Sequence, residues 1–190
     1  MKKEDTLVQL RQGLDSPFGD SRVGVVLVRK DEAVLSVRPR KEASPRVQMT
    51  VRPGEVVPID GALHRVVEVH HAEGKNLLPG GSKDYVVIDS APVALASLEL
   101  HAGSLAIPLG ATANGAGYDV EVISLGADAT AQLEVWPDEF AKPQTRQQLI
   151  KSFAVKGGAK IAAGARQVSI VSVVPANAST GLRGFVEVGW

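Results

Sequence analysis

With 190 residues, 44% of them hydrophobic and 22% charged, the chain is long enough to bury its own core, and its composition is that of neither a disordered nor a membrane-spanning protein. Lys plus Arg and Asp plus Glu each total 21, so no global field draws it to nucleic acid or an anionic membrane. The absence of cysteine excludes disulfides, thiolate nucleophiles and Cys-ligated zinc or iron–sulfur cofactors.

Met1–Thr6 is charged and is not followed by the apolar run of a secretory signal, so the expected location is cytoplasmic. Leu7, Leu10 and Leu14 are spaced by three and four, which predicts a short amphipathic helix over Lys3 to Gly13. Two turns of isolated helix are marginal in water, so this arm, residues 1–20, must dock on its own body or on a partner. Asp15-Ser16-Pro17-Phe18-Gly19-Asp20 reads as a loop.

From Arg22 the pattern changes to β-branched runs. Val23–Val28, the turn Lys30-Asp31-Glu32, and Ala33–Val37 predict a hairpin. Arg38–Arg46 follows with two prolines and a basic cluster of Arg38, Arg40, Lys41 and Arg46, with Arg52 nearby. It reads as an exposed connection without aromatic platforms for nucleotide stacking, since the whole chain has 4 Phe and 2 Trp.

Three stretches then share one order of strand, Gly turn, short strand, alternating strand and closing strand. The first takes Met49–Gly54, Val56–Ile59, His64–Val69 and Tyr85–Ile88. The second takes Leu98–Gly103, Leu105–Ile107, Tyr118–Val122 and Ala131–Val135. The third takes Phe153–Gly158, Lys160–Ala162, Gln167–Val171 and Phe185–Val188. The expected fold is mainly β: an antiparallel sandwich or tandem small barrels, with a β-trefoil as the alternative. Residues 21–92 are expected to form one β unit and 93–190 two more, with a crossover over 137–150, where Thr145–Ile150 suits a helical turn; a single domain over 21–190 is the alternative.

No catalytic constellation is legible. His64 and His70, six residues apart on one strand, share a face but lie about 20 Å apart along it, too far to share a metal. Only convergence of His64, His101 and an acid such as Asp60 would suggest an enzyme. Glu68, Asp119, Glu121, Glu134 and Glu187 occupy the polar phase of alternating strands and read as a solvated face. No cofactor or metal is expected. The function expected is that of a non-enzymatic protein–protein interaction module, a structural subunit or adaptor whose partner is a protein, including a second copy. An immunity-type inhibitor and a lectin-like domain are the alternatives. The contact residues expected are Leu7, Leu10 and Leu14 of the arm, Leu77 and Leu78 of the apolar loop, and the terminal Trp190.

Overall fold

The computed structural model describes residues 6–40, 45–72, 83–95, 98–115, 117–137 and 150–190. Their regular structure is sixteen strands: β1 (Leu7–Arg11), β2 (Asp15–Phe18), β3 (Ser21–Arg29), β4 (Glu32–Pro39), β5 (Arg46–Val51), β6 (Val56–Ile59), β7 (Ala62–His70), β8 (Tyr85–Asp89), β9 (Leu105–Pro108), β10 (Thr112–Gly115), β11 (Tyr118–Leu125), β12 (Ala131–Pro137), β13 (Lys151–Val155), β14 (Lys160–Ala163), β15 (Arg166–Val174) and β16 (Phe185–Gly189). Apolar alternation explains most of them. Val120 and Val122 are buried in β11, whereas Asp119 and Glu121 are only partly so.

The strands form three antiparallel sheets, none of them closed, in the orders β1-β8-β7-β6, β13-β12-β11-β10-β5-β4-β3-β2 and β14-β15-β16-β9. The architecture is sandwich-like rather than a barrel or trefoil. The first eight strands and the last eight repeat one topology. In each half the opening strand joins the far meander, β1 on β8 and β9 on β16, while the fifth strand joins the near one, β5 on β4 and β13 on β12. The registers also agree. Arg11 faces Tyr85 as Pro108 faces Phe185, and Ala33 faces Val51 as Ala131 faces Val155. One apolar core runs through both halves. Among the described residues no helix is long and apolar enough to cross a membrane.

Backbone geometry recurs four times, where the sequence pattern suggested three units. Gly13, Gly54, Gly110 and Gly158 adopt φ of 81°, 86°, 68° and 85°, conformations that a Cβ disfavours. Their amides donate to the carbonyls of Val25, Val66, Val122 and Ile170, twelve residues on in each case. Immediately after each acceptor the ladder slips, between Val25 and Leu27, Val66 and Glu68, Val122 and Ser124, and Ile170 and Ser172. Each bulge reverses the side-chain phase and turns one branched residue outward: Val26, Val67, Ile123 and Val171 are all exposed.

The three-unit boundaries are corrected accordingly. The unit missed lies at the N-terminus, where the arm forms strands and not a helix. Leu7–Arg11 pairs with β8, because an edge that completes a backbone ladder outweighs a marginal two-turn helix. The expected loop over Asp15–Asp20 contains β2, with Pro17 on the sheet edge where a missing donor is tolerated. Conversely, Leu98–Gly103 is not a strand, and the small residues of Thr112–Gly115 form one. Of the crossover over 137–150, residues 138–149 lie outside the described residues.

Candidate interaction surfaces

The two halves meet along β5 and β10, where Gln48 faces Thr112, Val47 faces Ala113 and Arg46 faces Asn114. This pairing makes one eight-stranded sheet of two four-stranded ones. On the opposite layer the amide of Val56 donates to the Gly181 carbonyl at 2.8 Å and that of Arg183 to the Val56 carbonyl at 3.0 Å. Val56 and Leu63 of the first half pack there with Leu182 and Phe185 of the second in a small separate core.

Arg183 spans the junction. Its guanidinium donates to the carbonyls of Thr50 in β5 and of Leu109 beside the Gly110 turn, and lies 3.7 Å from Glu55. Burial pulls its pKa below the ordinary arginine value, and Glu55 opposes that shift. A planar fork reaching two carbonyls on different halves is a geometry that a lysine ammonium does not reproduce.

Beside the junction lies a cleft of about 480 Å³ whose walls include Met49, Ile59, Leu105 and Trp190, with Arg40 and Arg166 exposed at its rim. Among the described residues neither guanidinium makes an ion pair. Asp60, also on the cleft, is committed: at φ 54° its carboxylate accepts from the Asp20 amide at 2.6 Å and the Ser21 hydroxyl at 2.7 Å. The cleft thus joins an apolar wall to an unpaired cationic rim, which suits an apolar or acidic side chain of a partner.

Glu187 corrects the solvated-face reading, being 1% exposed in β16. Its oxygens accept from the His101 amide (2.8 Å), His101 Nδ1 (2.8 Å), the Ser104 hydroxyl (2.8 Å) and the Ser172 hydroxyl (2.5 Å). Burial by itself raises the carboxyl pKa, but the donors, led by Ser172, outweigh it and hold the group below its ordinary value. The network fastens the 98–104 segment, which links the halves, onto the outer face of β16. The Ser104 and Ser172 hydroxyls both reach the carboxylate, and neither contacts the imidazole.

His64 belongs to a different environment. It is 4% exposed, stands edge-on to Phe18 at 4.9 Å and shares an Nδ1 hydrogen bond with the Asp89 carbonyl at 3.1 Å. The expected common face with His70 fails because the bulge at Val67 intervenes; His70 stacks on Tyr85 at 4.5 Å instead. Burial lowers the His64 pKa from 6.5, with Asp89 and Asp60 opposing. The folded state therefore binds this proton less readily than the unfolded chain, and stability falls as pH drops through 6.5. The residues at this position of the other three turns are Val23, Val120 and Val168, all buried. His64→Val is expected to flatten the fall in urea midpoint between neutral and mildly acidic pH; an unchanged slope would show that another group carries it.

The expected contact residues are dispersed. Leu10 is fully buried, whereas Leu7 and Leu14 are exposed, so the arm offers separate side chains rather than a helical stripe. Trp190 is partly buried, packs on the core and lines the cleft. Leu77 and Leu78 lie outside the described residues. His64 and His101 do not share a partner, and among the described residues no three His, Asp or Glu side chains gather in a way that could hold a metal ion. Arg40 figured in the sequence only as part of the basic cluster of an exposed connection, whereas Arg166 and the staple Arg183 were missed by sequence reasoning; lone arginines carry no spacing signal. No protein-family model, curated protein or solved structure matches the chain.

Proposed function

We propose that this protein is a non-enzymatic, β-rich interaction module, a structural subunit of a larger complex that includes further copies of itself. The observation that supports this most directly is the eight-stranded sheet ending in two strands, β2 and β13, each paired on one side only among the described residues. Unpaired edge backbone is a ready template for another strand, and natural sheets either block it or use it. The outward Val26, Val67, Ile123 and Val171 and the arginine-rimmed cleft add apolar and cationic contact points around the same body.

Sedimentation velocity of the full-length protein over a wide concentration range tests the reading. The expected result is a weight-average mass that rises above the 20.0 kDa chain as concentration increases. A single species at the chain mass throughout would overturn self-association.

A further inference from the structure

The geometry points to a head-to-tail contact in which β2 of one copy pairs antiparallel with β13 of the next, reproducing between molecules the β5–β10 junction that joins the halves within one. This rests on the assembly reading above and gives it a register.

The two halves share one topology. Counting from the recurrent glycines, β10 begins two residues after Gly110 and β2 begins two residues after Gly13. In the same way β5 ends three residues before Gly54 and β13 ends three before Gly158. The two strands already paired inside the molecule therefore have their counterparts at the two free ends of the same sheet. Transferring the observed register of Thr112 on Gln48, Ala113 on Val47 and Asn114 on Arg46 places Asp15 on Ser152, Ser16 on Lys151 and Pro17 on Ile150. No like charges face one another in that register.

The junction staple has a counterpart as well. The Leu109 amide donates to the Gly184 carbonyl at 2.8 Å and the Gln12 amide to the Asp84 carbonyl at 3.0 Å. These equivalent bonds align Arg183 with Lys83. Lys83 is exposed and has no ion-pair partner among the described residues. In the intermolecular junction its ammonium takes the place of the Arg183 guanidinium and donates to the carbonyl of Ala154 in the next copy, the counterpart of Thr50.

One difference sets the strength. Pro17 stands where β10 has Asn114, and the two-residue turn Gly19-Asp20 points the backbone of Pro17 toward the open edge. The missing N–H removes one ladder bond, so association is weaker than the internal pairing and depends on concentration. The contact is heterologous, and its repetition generates a ring or an open filament rather than a closed two-fold dimer.

The chain has no cysteine, so introduced thiols report one contact only. Ser16→Cys/Lys151→Cys places a thiol at each end, on a directly facing pair. Mild oxidation is expected to give a ladder of covalent multimers, whereas the mismatched Ser16→Cys/Lys160→Cys control stays largely uncrosslinked. Pro17→Asn is expected to shift the half-association concentration at least several-fold lower, and Lys83→Glu to shift it higher. Crosslinking equal in matched and mismatched pairs, in a protein whose mass still rises with concentration, overturns this register and leaves the assembly reading standing. A mass fixed at 20.0 kDa for both wild type and Pro17→Asn overturns both.

Discussion

Replacing Arg183 by Met is expected to lower the unfolding free energy by about 2–4 kcal/mol, because two carbonyls at the junction lose charge-assisted donors together and Glu55 loses the guanidinium beside it. The methylene stem of Met retains part of the packing, so most of the loss is polar. Arg183→Lys is expected to fall between the two, since one ammonium serves one carbonyl well and the other poorly. Urea denaturation checks both variants, with Arg166→Met as a surface control expected to stay within about 0.5 kcal/mol. If the halves begin to unfold separately, the transition will also broaden and m will fall. An Arg183→Met midpoint equal to that of the control would show that the strand pairing of β5 with β10 holds the halves without the staple.

Glu187→Ala is expected to cost about 3 kcal/mol at neutral pH, since four donors on His101, Ser104 and Ser172 lose a buried acceptor at once. The 98–104 segment should then become protease-sensitive. The pH dependence has a definite sign. The folded-state pKa of Glu187 lies below its ordinary value, so its contribution is fully present above the unfolded value of about 4.3 and is lost as pH falls through that value to the folded one. The gap between wild type and Glu187→Ala should therefore narrow on acidification. A gap that is constant with pH would assign the loss to packing rather than to the carboxylate.

The class of fold was legible because alternation and β-branched runs are local signals, as in Tyr118–Val122 and the hairpin from Val23 to Val37. The arm was not. Leucines at positions 7, 10 and 14 imitate a helical stripe, and nothing local reveals that β8, more than seventy residues away, supplies the ladder. Bulges also defeat a strict period of two. The phase change after Val66 separates His64 from His70, and a similar break after Ile170 turns Val171 outward. Glu187 obeys the polar phase of its strand, yet the face it points to is covered by 98–104, a tertiary event with no signature in the strand itself. The fourth recurrence escaped notice because its turn residues, Leu14 to Ser21, resemble the others only in the position of Gly13 and in the hydrogen bond it makes.

The ends of the long sheet are the proposed contact surfaces, and amide hydrogen exchange measured at low and high protein concentration tests this directly. Protection is expected to rise with concentration in two places, β2 (Asp15–Phe18) and β13 (Lys151–Val155), while the β5–β10 junction stays protected at both concentrations. Exchange at β2 and β13 that does not change with concentration, or protection gained at other strands instead, would contradict it.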